Sequence, residues 1–258
     1  ETVYTQAIAV TASGVLQLIW LWWSCRKAGV ALKLERPRLS PKVKDMLKLI
    51  GPAAIGQGAI QINLVISTAL AAQFLAQGAI SYIYYADRLN QLPLGLIGIG
   101  IGTVILPSLS RLIGGGKEAE ANIQQNRAME LALFLSLPAA VALVISAFPI
   151  VRGVFEHGHF MAKDTAGTAA VLAAFSFGVP AYVLTKVLTP GFYARADTKT
   201  PVRLAIISMV VNLALNLILI VGLKQGVTSI GISTAVAAWV NVILLYAVLH
   251  KRGQFRFD

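Results

Sequence analysis

Seven long apolar stretches constrain this chain more than any other feature of its sequence. A helix that crosses a bilayer needs about 20 consecutive, mostly apolar residues. The chain offers such stretches at residues 3–25, 46–75, 79–113, 127–148, 165–193, 202–223 and 229–250. They are too long for strands, and they lack the alternating ten-residue segments of a membrane barrel. The sequence therefore predicts an all-α polytopic membrane protein with seven transmembrane helices.

The composition supports this fold class. Hydrophobic residues make up 57% of the 258 residues and charged residues only 13%, whereas ordinary soluble domains carry roughly 25% charged residues. A soluble protein with so few charges could not cover its surface with polar groups. Cys25 is the only cysteine, so no internal disulfide can form. Because the chain begins with Glu1 and enters an apolar helix at once, we expect it to be a section of a longer protein.

The basic residues are distributed unevenly between the two sides of the predicted helices. Sixteen of the 22 Lys and Arg residues fall in loops on one side and three in loops on the other. Because cytoplasmic loops carry the excess of Lys and Arg, this distribution predicts that Glu1 lies outside and Asp258 in the cytoplasm. The net charge of +11 is then a topology signal, with some attraction to anionic membrane lipids. No nucleic-acid partner is expected.

Three ionisable residues fall well inside the predicted spans. An Arg, Lys or Asp at mid-bilayer costs about 2.5–3.5 kcal/mol on insertion scales, so each needs a reason. Asp87 and Arg88 either form an ion pair near the outer interface or face a cavity. Lys186 either pairs with Asp87 or lines a cavity, since no carboxylate lies within a helical turn of it. Isolated cations of this kind suggest that an anion binds within the membrane.

Helix-breaking residues accompany these charges. Broken helices are tolerated in membranes where they line a cavity or pack inside the protein, and transporters use them at substrate sites. We therefore expect the third and fifth spans to be interrupted near the charged residues. Gly98 and Gly102 also form a small-xxx-small pair that favours close helix packing. The prolines concerned are Pro93 and Pro107 in the third span, with Pro180 and Pro190 on either side of Lys186.

Other polar residues give weaker indications. Asn212 and Asn216 lie one turn apart on one helix face, which favours interhelical hydrogen bonds but also allows cation coordination. Glu156, His157 and His159 fall in a predicted outer loop, residues 152–164, and do not supply three or four convergent ligands of a metal site. No catalytic motif is present, so neither a metal centre nor an enzyme is expected.

Four sequence motifs carry a resemblance to a known family. They are residues 84–89 (YYADRL), 94–98 (LGLIG), 103–110 (TVILPSLS) and 190–202 (PGFYARADTKTPV). In this order and at this spacing, the chain resembles the MurJ (MviN) lipid II flippases. The resemblance extends over essentially the whole chain.

The resemblance implies a fold and an activity. The family belongs to the MATE-like exporter superfamily, whose members have fourteen helices in two lobes. It moves lipid II, a lipid-linked peptidoglycan precursor, from the inner to the outer leaflet of the bacterial inner membrane. By resemblance, residues 1–25 are the last helix of the first lobe, residues 26–45 a basic cytoplasmic linker, and residues 46–258 the six-helix second lobe. The other helices of the transporter would be partners of this chain.

The resemblance also assigns roles to particular residues. Arg88 and Lys186 match cationic residues of the family's substrate cavity, and Asp87 matches the acid beside the arginine. Asn212 and Asn216, with Thr234, match a sodium site of some members, although an amide stands here in place of a carboxylate. No cofactor is implied, and the driving force would be Na⁺ or the membrane potential.

Three alternatives remain open at this point. One is a MATE-like exporter of another lipid-linked oligosaccharide or of small cationic drugs, although Asp87 is the only candidate for the buried carboxylates that cationic drugs require. Another is a membrane enzyme that acts on polyprenyl phosphates, for which the loop from Glu156 to His159 offers too few polar residues. The last is a purely structural role.

Overall fold

A computed structural model describes residues 2–29 and 65–256, together with residues 43, 44, 50, 58, 61 and 63. The chain divides into two compact units, Glu1–Asp45 and Met46–Asp258. The assignment of the segments 1–25, 26–45 and 46–258 to lobes and a linker stays a prediction. Most of the predicted linker and half of the predicted second span lie outside the described residues.

In the first unit, helix α1 covers Thr2–Lys27. Its apolar side chains are exposed all round, as expected of a helix that faces lipid or another part of a larger protein. At its end, the Arg26 guanidinium stands 4.6 Å from the ring centre of Trp22, and the Lys27 ammonium 5.4 Å from that of Trp23. Tryptophan and basic residues together are typical of a membrane–water interface.

The second unit is built from helices α2 to α9, and its described residues form no strand. Six helices of the described chain, including α1, are long and apolar enough to cross a bilayer, so the protein is a multi-pass membrane protein. The helices of the second unit are α2 (Val65–Phe74), α3 (Ala79–Gly114), α4 (Glu118–Ile145), α5 (Ala147–Phe155), α6 (Ala162–Ser176), α7 (Val179–Tyr193), α8 (Lys199–Asn216) and α9 (Thr228–Lys251).

Of the two prolines predicted to interrupt the third span, Pro93 changes the helix type and Pro107 does not interrupt it. Helix α3 continues past Pro93, which is followed by a π-helical turn at Leu94–Ile99. Pro107 lies within the helix without breaking it; it removes one backbone hydrogen bond, which membrane helices tolerate. In the fifth span the break is real but lies before Pro180, at residues 177–178 between α6 and α7. A second π-turn, Leu217–Gly222, extends α8.

Two boundaries also differ from the sequence prediction. Helix α4 starts at Glu118, so the polar residues before the predicted start at 127 are the first part of the membrane helix. The predicted outer loop contains the end of a short helix, α5, so that only residues 156–161 connect α5 to α6. In both places helical structure includes polar residues beyond the boundary that hydropathy predicts.

Helix α7 lies at the centre of the second unit. Val183, Leu184, Val187 and Leu188 are buried in a core shared with side chains from α4 and α9. A second core joins α2, α3, α5 and α6 around Leu172. Because α7 packs on several sides, any of its residues that stays exposed marks an opening in the bundle.

Polar contacts bind the carboxyl ends of α7 and α9 to the start of α4, and we call this group the end clasp. Arg195 donates hydrogen bonds to the Gly191 carbonyl at 2.7 Å, to the Gln254 carbonyl at 3.2 Å and to Glu118. Asn126 of α4 donates to the Arg256 carbonyl at 2.9 Å. The end clasp therefore uses residues of the 190–202 motif to hold the segment that follows α9.

Asp197 joins the end clasp to the start of α8. It accepts hydrogen bonds from the Thr200 amide at 3.0 Å, the Thr200 hydroxyl at 2.6 Å and the Arg252 guanidinium at 2.7 Å. Burial raises the pKa of Asp197, but the hydrogen bonds from Arg252 and Thr200 outweigh it and hold the pKa at about 2. The carboxylate is therefore charged throughout the physiological pH range.

Replacing Asp197 by Asn should make the stability of the chain less sensitive to acid. The folded-state pKa lies below the unfolded value of about 3.9, so the carboxylate stabilises the fold above pH 4 and loses this effect as the pH falls towards 2. We expect the Tm of Asp197→Asn to be lower than wild type by roughly 2–4 °C at pH 6, and this gap to narrow at pH 2.5. Thermal unfolding of the purified chain in detergent measures both.

Glu130→Gln is the matched control, because Glu130 is an exposed carboxylate of α4. Its Tm should follow that of the wild type at both pH values. A gap for Asp197→Asn that stays constant from pH 6 to pH 2.5 would contradict the role given to the Asp197 carboxylate.

Candidate functional site

Helix α7 carries one polar stripe on an otherwise buried surface. Tyr182, Thr185 and Thr189 are half-buried, and Lys186 is exposed, whereas the other residues from Val179 to Phe192 are buried. These four polar residues recur every three to four positions, so they share one helix face. This face thus carries one ammonium group and three hydroxyls, and Thr185, Lys186 and Thr189 border one opening.

The opening is a cavity of about 620 Å³ between α3, α7, α8 and α9. Lys186 is the one charged side chain among the described residues that line it, and no carboxylate lines it. An anion entering this cavity would meet the Lys186 ammonium. The Thr103 and Thr185 hydroxyls already donate to the Gly100 and Ala181 carbonyls, both at 2.9 Å, which leaves Thr189 and Tyr193 as the hydroxyl donors of the lining. The polar lining residues are Thr103, Thr185, Lys186, Thr189, Tyr193 and Asn241.

Close approach of α3 gives the cavity its wall. A side chain built at Gly98 would stand 3.5 Å from the Lys186 Cγ, and one at Gly102 would stand 3.6 Å from the Lys186 Cβ. The expected close packing at the Gly98–Gly102 pair is confirmed. Because Pro190 has no N–H, the Lys186 carbonyl lacks its usual helical donor four residues later. At this position the helix therefore has both a polar side chain and a backbone carbonyl that lacks its helical hydrogen bond.

Arg88 and Asp87 lie elsewhere on α3. Arg88 is exposed, with its guanidinium 4.9 Å from the ring centre of Tyr84, and it donates a weak 3.5 Å hydrogen bond to Gln91. Gln91 in turn donates to Asp87. The two charged residues are thus bridged through Gln91, as expected for neighbours that point about 100° apart on a helix.

The structure does not bring Arg88 to Lys186. Gly98, which faces Lys186, is ten residues beyond Arg88, or about 15 Å along the helix, and Arg88 does not line the cavity of Lys186. The alternative of an Asp87–Lys186 ion pair is also not observed within residues 65–256, since the Asp87 carboxylate contacts Gln91. Whether Arg88, Asp87 and Lys186 bind substrate stays a prediction.

A smaller cavity of about 310 Å³ adjoins the first and is lined by two of the three residues of the predicted cation site. Lys186 lines it together with Asn212 and Thr234, whereas Asn216 is buried and is not part of the lining. The structure therefore brings the predicted anion-binding lysine and two of the predicted cation ligands to one cavity. A cation bound at Asn212 would be repelled by the Lys186 ammonium unless an anion stood between them.

The expected interhelical hydrogen bonds of the asparagines are confirmed. The buried Asn216 amide donates to Ser67 of α2 at 3.3 Å and to the Asn212 oxygen at 3.2 Å, and its own oxygen accepts from Ser233 of α9. Asn212 donates to Thr234 at 3.3 Å. This amide network joins α2, α8 and α9 in the interior of the bundle, and its oxygens already accept hydrogen bonds.

Polar residues missed by the sequence analysis complete the cavities. Asn241 lines both, and its buried oxygen has no hydrogen-bond partner among the described residues. A lone amide in an apolar span is the same signal that identified Asn212. In the described part of the chain, no three His, Cys, Asp or Glu residues come together to hold a metal ion.

Comparison with known proteins matches the chain to one family of membrane proteins. The family model described as "Lipid II flippase MurJ" matches residues 1–258. A probable lipid II flippase MurJ of Rhizobium meliloti is 46% identical over 99% of this chain and 47% of its own length. One from Rickettsia prowazekii is 36% identical over 100% of this chain and 50% of its own length. The chain thus spans about half the length of these curated relatives.

Solved structures agree. The inward closed conformation of a lipid II flippase MurJ superposes with a TM-score of 0.70 and 31% identity, over 86% of this chain and 46% of that protein. An outward-facing multidrug resistance MATE transporter superposes with a TM-score of 0.72 over 82% of this chain and 46% of its own. At 14% identity, the second likeness concerns the fold alone.

The amide network should contribute measurably to stability. Asn216→Leu removes three hydrogen bonds, each worth about 0.6 kcal/mol in membrane proteins. We therefore expect its Tm to fall by roughly 4–8 °C. Asn241→Leu is the matched control, because its oxygen makes no hydrogen bond, and its Tm should change by less than about 2 °C. Equal losses for the two variants would show that the Asn216 hydrogen bonds contribute nothing specific.

Proposed function

Because the chain belongs to the lipid II flippase MurJ family, we propose that it forms one half of a transporter that moves lipid II across the bacterial inner membrane. The observation that carries the proposal is the cavity lined by Lys186 and by no carboxylate. A membrane cavity with an uncompensated cation is costly unless it receives an anion. The diphosphate of lipid II is such an anion.

Lys186 and Arg88 would act at different stages. Lys186 binds the diphosphate as a point charge, with the Thr189 hydroxyl donating from the same helix face. Arg88 can hold a phosphate with its planar fork of donors. Because about 15 Å of α3 separates the levels of the two cations, we propose that the diphosphate contacts them in succession as it crosses the membrane. Asp87 and Gln91 hold the Arg88 side chain in place when it does not contact the diphosphate.

The driving force is proposed on electrostatic grounds. A membrane potential that is negative inside favours outward movement of an anion, by about 2.3 kcal/mol per charge per 100 mV. Sodium bound at Asn212, Asn216 and Thr234 is the alternative, but the Lys186 charge in the same cavity opposes it. We therefore favour the potential. The proposed orientation of the chain in the membrane follows its charge distribution, with Glu1 outside and Asp258 in the cytoplasm.

We infer that the role is transport and not catalysis. The rival transport hypothesis, a MATE-like exporter of small cationic drugs, needs carboxylates in the substrate cavity, and the described lining of both Lys186 cavities has none. The other half of the transporter, which completes the cavity, and the surrounding lipids would be the partners of this chain.

Lipid II binding to the purified chain tests the proposal. We expect wild type to retain lipid II in native mass spectrometry and Lys186→Ala to bind it at least tenfold more weakly, since a hydrogen bond to a charged group contributes about 1.5–3 kcal/mol. Lys186→Arg keeps the charge and should recover much of the affinity. Lys163→Ala removes an exposed lysine from the start of α6 and should leave binding unchanged.

The same variants should be placed in a flippase of the relatives' length that carries this segment. There, Lys186→Ala and Arg88→Ala should each impair cell-wall synthesis. Normal growth with both substitutions, or lipid II binding that is indifferent to Lys186, would contradict the roles given to these cations.

A further inference from the structure

A separate polar cavity lies at the end of the bundle where α3 meets α4. Its volume is about 480 Å³, and it shares no lining residue with the cavities of Lys186. The end of α3 and the beginning of α4 are held together beneath it by Ile105, Leu109 and Ala121. The lining residues are Ser108, Arg111, Leu112, Glu120, Ile123, Gln124 and Arg127.

The charges of this cavity favour an anion. Arg111 and Arg127 are both exposed, and neither forms an ion pair with a described residue. The one acidic lining residue, Glu120, is already paired with Lys117 at 2.8 Å. Ser108 and Gln124 add uncharged donors. Two arginine forks with neutral donors beside them match the oxygens of a phosphate group.

The position of the arginines matches the depth of lipid phosphates. Helix α4 has 28 residues and is about 42 Å long, which exceeds the roughly 30 Å of a hydrocarbon core. The apolar residues follow Arg127, so the helix enters the hydrocarbon at about that residue. Arg127 then lies at the interface, where the headgroups of the leaflet are.

Exposed apolar side chains follow each arginine along the membrane face, and on α4 they lie beside one exposed carboxylate, Glu130. On α4, Leu131 and Phe134 follow Arg127 at helical spacing and are 50% and 74% exposed. On α3, Val104 lies two turns before Arg111 and is 68% exposed. A free phosphate would use the arginines alone, whereas a lipid would use the arginines and both apolar stripes.

We propose that the cleft between Arg111 and Arg127 binds the phosphate headgroup of an anionic glycerophospholipid, whose acyl chains lie along Val104, Leu131 and Phe134. The bound lipid would fix the α3–α4 hairpin at its depth in the leaflet. This site is independent of the proposed lipid II pathway, because it lies outside the cavities of Lys186.

Native mass spectrometry of the detergent-purified chain with phosphatidylglycerol tests the site. We expect Arg111→Gln/Arg127→Gln to bind phosphatidylglycerol at least about tenfold more weakly than wild type. The matched control is Arg203→Gln/Lys251→Gln, which removes the same charge from exposed positions on α8 and α9. The control should change binding by less than about twofold. Phosphatidylcholine, with the same phosphate but no net charge, should bind more weakly than phosphatidylglycerol to wild type.

Further variants separate a lipid from a free anion. Phe134→Ala leaves both arginines in place and should weaken phosphatidylglycerol binding several-fold. If inorganic phosphate binds wild type and displaces the lipid, and if Phe134→Ala binds phosphatidylglycerol as well as wild type does, the site is an anion site and the proposal is wrong. Equal weakening by the two double variants would also overturn it, since general attraction to basic residues would then explain the binding. Arg127→Gln alone provides the same comparison if the double variant does not fold.

Discussion

The hydrocarbon core of a membrane offers no hydrogen-bond partners, and the architecture of the second unit follows from that constraint. Polar side chains are admitted where the protein itself supplies partners or an aqueous opening. Helix α7 shows both solutions. Its buried faces are apolar and pack against neighbouring helices, while its polar residues are collected on the one face that borders the cavities. Lys186 is tolerable in the membrane because this face is open.

Elsewhere in the bundle, polar groups replace the hydrophobic effect as the interaction that holds helices together. Lipid is as apolar as leucine, so apolar contact alone does not favour helix association in a membrane. The amide network around Asn216 joins α2, α8 and α9 within the bundle. The end clasp around Arg195 and Asp197 joins the ends of α7 and α9 to the starts of α4 and α8. The close contact of Gly98 and Gly102 with Lys186 adds dense packing between these two regions.

The sequence was sufficient for features that depend on local composition. The lengths of the apolar stretches predicted the described spans to within several residues. Because a lone cation is costly to insert into a membrane, Lys186 could be predicted to line a cavity. The four-residue spacing of Asn212 and Asn216 correctly indicated a shared face. Their partners Ser67 and Ser233 could not be predicted, because they come from distant parts of the chain. For the same reason the end clasp was not foreseen, although its arginine and aspartate lie in a motif that the resemblance had singled out.

The π-turn that follows Pro93 has a consequence for the two halves of α3. A π-turn holds about one residue more than an α-turn, which changes the angular phase of the helix by roughly 100°. A helical wheel that assumes α-helical geometry from Ala79 to Gly114 would therefore misplace Arg88 around the helix axis, relative to the residues that follow the π-turn, by about this angle. The π-turn at Leu94–Ile99 therefore sets the angle between the side chains of the half of α3 that carries Arg88 and those of the half that faces Lys186.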